Sequence, residues 1–71
     1  MEQITQSQYN SLLNRQIPPT LDPNVIADIR YIKNILLSKE DGNYYLEYVE
    51  LNMLSAQEIA EMKRRGTFVT I

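Results

Sequence analysis

Ile35-Leu36-Leu37-Ser38-Lys39-Glu40-Asp41-Gly42-Asn43-Tyr44-Tyr45-Leu46-Glu47-Tyr48-Val49-Glu50-Leu51 is the stretch that decides how this chain folds. Asp41-Gly42 suits a type I′ turn, whose two central residues both need positive φ, and apolar runs flank it on either side. Taken as a two-residue loop, the pair sets Lys39 opposite Tyr44, Leu37 opposite Leu46, Ile35 opposite Tyr48 and Lys33 opposite Glu50. These side chains share one face, apolar in the middle with an opposite-charge pair at one end. The other face carries Ile32, Leu36, Tyr45, Glu47, Val49 and Leu51. Both faces are partly apolar, and one short helix covers only one of them.

Outward from the hairpin, two helix starts are built alike. Thr5-Gln6-Ser7-Gln8 and Ser55-Ala56-Gln57-Glu58 match the capping box, in which a hydroxyl accepts from the N3 amide and the N3 side chain reaches back. Ile4 and Leu54 precede the caps, and Tyr9 and Ile59 stand at N4 to close a hydrophobic staple. Helices are expected near Thr5–Asn14 and Ser55–Arg65, the second ending at Gly66 after Lys63-Arg64-Arg65 meets the negative end of the dipole. The Ile59 and Met62 stripe of that helix is expected on Ile35, Leu37, Leu46 and Tyr48. The second face is then left to the N-terminal helix, a second subunit or a target. Thr67-Phe68-Val69-Thr70-Ile71 is β-branched and aromatic and reads as a closing third strand.

Pro18-Pro19 forces an extended linker, and Asp22-Pro23 reads as N-cap and N1 of a short helical turn through about Asp28. An alternative stays open here. Val25, Ile29, Ile32 and Leu36 share a helical stripe, so Pro23–Ser38 could be one amphipathic helix. The expected class is α+β: a three-stranded antiparallel sheet, hairpin plus C-terminal strand, with a packed helix and an N-terminal helical extension. One domain spans 1–71, with helix and Pro-rich linker over 1–22 and the α+β core over 23–71.

Composition narrows the chemistry. The 71 residues include no cysteine and no histidine, which removes disulfides, thiolate metal sites and the commonest general base and metal ligand. No nucleophile–base pair is evident, so neither an enzyme nor a cofactor, metal or small-molecule substrate is expected. No run approaches the roughly 18 apolar residues of a membrane span, and Met1-Glu2-Gln3 does not read as a secretory signal. A cytoplasmic protein is expected. A domain this small buries a modest fraction of its surface, and with other staples missing a homodimer is expected.

The groups left for function are carboxylates and tyrosines. Glu40 and Asp41 lie at the hairpin tip, the most solvated position available, where they serve as turn and surface charges or as an acidic patch for a basic partner. Tyr44, Tyr45 and Tyr48 are interleaved with acids rather than with the basic groove of a base-stacking platform, which favours core or protein-interface roles. Lys63-Arg64-Arg65 is the one basic cluster, and the net charge of −2 argues against nucleic acid.

Ile35-Leu36-Leu37, Asp41-Gly42, Tyr45, Glu47-Tyr48 and Leu54-Ser55 resemble the shorter type of phage-encoded uracil-DNA glycosylase inhibitor, without gaps over Ile35–Ile59, about a third of the chain. The resemblance implies a dimeric α+β protein that occupies the DNA-binding cleft of the glycosylase with an acidic, DNA-imitating surface. It also implies an apolar pocket for the leucine that the enzyme pushes into the duplex. By position Glu47 matches the family's functional strand glutamate and Glu40 falls in its acidic turn. Gln57 and Glu61 stand where the family carries aromatics, with Met53, Leu54 and Tyr45 as candidates for a substitute pocket. The expected partner-binding set is Glu40, Asp41, Tyr45, Glu47, Tyr48, Met53, Leu54 and Gln57. The expected partner is a host protein with a basic surface, uracil-DNA glycosylase being the named candidate. The alternatives are a small nucleic-acid-binding or transcriptional accessory protein using Lys63–Arg65, and a structural oligomerisation module.

Overall fold

The computed structural model describes residues 1–71. In chain order it contains β1 (Glu2–Ile4), α1 (Gln6–Leu13), α2 (Pro23–Ile32), β2 (Asn34–Glu40), β3 (Asn43–Tyr48), a 3₁₀ turn (Leu51–Met53), α3 (Ala56–Arg65) and β4 (Thr67–Thr70). The strands form one antiparallel sheet in the order β1-β3-β2-β4. The α+β class is as expected, but the sheet has four strands rather than three. β1 was not foreseen because three residues are too few for alternation to show. Only its pairing with the outer edge of β3, Glu2 with Leu46 through Ile4 with Tyr44, makes it a strand.

The hairpin takes the register that the turn chemistry dictates: Lys39 with Tyr44, Leu37 with Leu46, Ile35 with Tyr48. Asp41 and Gly42 both adopt positive φ, 52° and 79°, as a type I′ turn requires. The expected Lys33–Glu50 pair does not form. Lys33 is the left-handed cap of α2, at φ 67°, and the ladder ends on the bond from the Val49 amide to the Asn34 carbonyl. Beyond it Leu51 leaves the sheet for the 3₁₀ turn.

Between Asp22 and Asn34 the outcome lies between the two readings. Asp22 caps the Asn24 amide at 2.8 Å, Pro23 occupies N1, and the helix runs past Asp28 to Ile32. It stops there rather than at Ser38, because Asn34 onward gains a partner on each side in β3 and β4. Pairing outweighs the helical stripe.

The first sheet face carries the main core: Ile4, Ile35, Leu37, Leu46 and Val69 from the strands, Leu12 from α1, Leu21 from the linker and Ile29 from α2. Residues 1–22 are therefore part of the core and not an extension of it. They supply a strand, a helix and the buried side chains of Ile4, Leu12, Pro18 and Leu21. Burying an Ile or Leu side chain contributes about 1.5–3 kcal/mol. The linker is held down by its own apolar contacts and by a bond from Gln8 Nε2 to Thr20 Oγ1 at 3.1 Å.

The helices thus take opposite sides from those expected. Ile59 and Met62 do not join the Ile35–Leu37–Leu46–Tyr48 cluster, which α1 and α2 cover. Instead α3 lies over the second face, where Leu36 and Val49 are buried and Arg65 reaches Glu47. The two helix starts are as expected: α1 and α3 each begin with the complete capping box. Three layers result, helices α1 and α2, the sheet, then α3. No helix is long and apolar enough to cross a membrane.

Candidate functional site

The strand alternation separates the residues singled out from the sequence. Tyr45 and Glu47 face α3, opposite Ser38 and Leu36, whereas Tyr48 lies on the other face, packed against the main core. Glu40 and Asp41 are exposed at the hairpin tip, Met53 and Gln57 are exposed, and Leu54 is half-buried. Tyr45 and Glu47 are brought together; Tyr48 and the tip are not part of that group.

Glu47 is not a free acidic side chain. Its Oε2 is closed off from solvent and sits 3.5 Å from Arg65 Nη2, an ion pair whose geometry does not make a hydrogen bond. Arg64 is engaged with Glu61 at 2.7 Å, so of the basic cluster only Lys63 makes no ion pair. The tip carboxylates also have a cation beside them. A depression of about 290 Å³ joins Glu40 to Lys39, Ser38, Arg65 and Met1, and Lys39 Nζ stands 5.4 Å from the ring centroid of Tyr44. The hairpin surface is mixed in charge rather than uniformly acidic.

The acidity of Tyr48 is set by its surroundings. Burial raises the pKa of its phenol, and Asp28, Glu2 and Asp22 raise it further. Its hydroxyl is shut off from solvent and has no hydrogen-bond partner.

Met53, Leu54 and Tyr45 line neither of the two depressions in the surface. The larger depression, about 650 Å³, lies at the opposite end of the hairpin from the tip and is lined by Tyr31, Ile32, Asn34, Val49, Glu50, Leu51 and Asn52. It is an open groove between the end of α2 and the chain leaving β3. Large apolar side chains cluster in and near it: Tyr31 is 88% exposed, Met53 73% and Leu51 42%. Asn34 and Glu40 stand at the two ends of the seven-residue strand β2, so groove and tip lie roughly 20 Å apart. Tyr31 and Leu51 were missed by the sequence reading, although Tyr31 left a signal. It stands off the Val25–Ile29–Ile32 stripe of α2, and an aromatic on the solvent side of an amphipathic helix has no core to explain it. No family model, curated protein or solved structure matches this chain.

Proposed function

We propose that this chain is a binding protein, an inhibitor of phage or mobile-element type that occupies a host DNA-processing enzyme, with uracil-DNA glycosylase the first target. The observation that carries the reading is the groove at Tyr31, Val49 and Leu51, open and edged by the exposed side chains of Tyr31 and Leu51. Exposed apolar groups grouped around a concavity are the usual mark of a protein-interaction site. On this reading the groove takes an apolar side chain of the enzyme, while Glu40 and Asp41, roughly 20 Å away along the strand, meet a basic part of its DNA cleft.

The division of labour gives the test. Purified protein in molar excess is expected to suppress uracil excision. Tyr31→Ala, at a side chain already exposed, should restore excision by speeding dissociation about tenfold or more. Glu40→Lys should slow association and reduce its dependence on salt. Undiminished excision at large excess removes the glycosylase as target. A lysate pull-down in which wild type and Tyr31→Ala retain the same proteins removes the groove as the binding surface.

A further inference from the structure

We propose that the outer edge of β4 is a self-pairing surface, through which two copies of this chain join their sheets about a two-fold axis at Val69. The two sheet edges differ in kind. β1 is three residues long and presents Glu2, the short, charged form by which native edges resist pairing. β4 reads Thr67-Phe68-Val69-Thr70, without charge, proline or bulge. Thr67 and Thr70 are exposed, and Phe68 and Ile71 are half-buried.

The hydrogen-bond phase shows what that edge offers. The Ile71 amide donates to the Lys33 carbonyl at 2.7 Å, and the register pairs Val69 with Ile35 and Thr67 with Leu37. Antiparallel bonding alternates, so Thr67, Val69 and Ile71 bond inward to β2. Phe68 and Thr70 direct both their N–H and C=O groups outward, where no strand pairs with them. A second β4 run antiparallel through Val69 places Phe68 opposite the partner subunit's Thr70, and each such pair exchanges both backbone bonds. On the same centre Val69 meets the partner's Val69 as a close non-hydrogen-bonded pair, and Thr67 meets the partner's Ile71. These are the β-branched and apolar cross-strand pairs that favour a sheet.

The occupant is a second copy because the edge is self-complementary and the contact closes. Joining β4 to β1 of the next copy would be head-to-tail and would propagate into filaments, whereas β4 with β4 stops at two. A four-residue edge lies below the area of a standard stable interface, roughly 1,200 Å², so the dimer exchanges and its mass rises with concentration. The inference is independent of the groove and of any enzyme target.

The test is native mass and light scattering of the full chain across a concentration series, with three variants. Wild type should pass from monomer to dimer. Thr70→Pro deletes an outward amide and none that bonds to β2, a placement proline tolerates on an edge, and it should remain folded and monomeric. Thr70→Ala loses the hydroxyl bonded to Asn34 Oδ1 at 2.9 Å but keeps the amide, and it should still dimerise. Val69→Pro removes an inward amide and should lose the fold itself. A wild type that stays monomeric at millimolar concentration overturns the proposal, as does a Thr70→Pro that still dimerises. If Thr70→Pro fails to fold, hydrogen exchange on wild type decides. Phe68 and Thr70 amides that slow with rising concentration support the pairing, and amides that exchange freely in the dimer refute it.

Discussion

The two faces of the sheet are closed to different depths, although the helices on them start in the same way. On the first face Leu12, Ile29, Ile35, Leu37 and Leu46 are fully buried, drawn from two helices and two strands. On the second, Leu36 and Val49 are sealed, yet α3 above them has no buried residue of its own. Both α1 and α3 carry a complete capping box, and α3 adds Glu58 in its first turn and three cations in its last. Local signals therefore favour α3 at least as much as α1. What separates them is burial, which supplies most helix stability in a protein. The first face holds the fold together, and α3 is a thinner cover over the second.

The contrast is broken or upheld by truncating one buried and one half-buried side chain. Ile29→Ala should cost about 2–5 kcal/mol by lost transfer and a residual cavity. A domain of this size carries only roughly 3–5 kcal/mol from its core, so much of that variant should be unfolded at room temperature. Met62→Ala on α3 should cost about 1 kcal/mol, because part of its surface already meets water. Urea denaturation followed by circular dichroism measures both. Equal losses would show that α3 is as essential as the layer on the other side.

A second substitution acts where the thin layer joins the sheet. Gly66 links α3 to β4 in extended backbone, φ −171°, so conformation does not demand glycine there. Space does. A Cβ at that position would stand 2.2 Å from the Leu37 carbonyl oxygen and 3.2 Å from the Ser38 Cβ. Backbone cannot move aside as a side chain can, so Gly66→Ala should push the junction off the sheet at a cost of about 1–3 kcal/mol. Hydrogen exchange of the α3 amides should rise more than that of β2 and β3. A variant as stable as wild type, with unchanged α3 protection, would mean that the junction adapts freely.

How far each region was legible follows from how local its signals are. The hairpin register could be counted outward from Asp41-Gly42 because turn geometry and period-two alternation agree there. The two capping boxes are equally local. Which face each helix covers is not. Ile59 and Met62 would fit either apolar face, and the choice falls to Leu12, Leu21 and Ile29, whose spacing along the chain says nothing about the sheet. The candidate site suffered for the same reason. Counting from the turn already sets Tyr48 on the face opposite Tyr45 and Glu47, but nothing near Glu47 in the chain shows that Arg65, eighteen residues later, pairs with its carboxylate. The groove joins α2 to the exit of β3, two segments remote in sequence, and only the off-stripe position of Tyr31 hinted at it.

The smallest effect concerns a defect within the well-packed face. The Tyr48 hydroxyl is sealed from solvent without a partner, and a buried unpaired polar group is a cost to the folded state. Tyr48→Phe keeps the ring against the main core and removes that oxygen, so stability near neutral pH should hold or rise by up to about 1 kcal/mol. The sign at alkaline pH is opposite for wild type. Burial, then Asp28, Glu2 and Asp22, raise the phenol's pKa in the folded state. The unfolded chain therefore gives up this proton first, and the protonated phenol's full contribution holds below the ordinary tyrosine pKa of about 10. It is lost as pH climbs from there through the raised folded value. Wild type should weaken over that window more than Tyr48→Phe does, as paired urea melts at neutral and alkaline pH would read out. Identical alkaline losses in both proteins would place the titration elsewhere and leave the sealed hydroxyl without consequence for the first face.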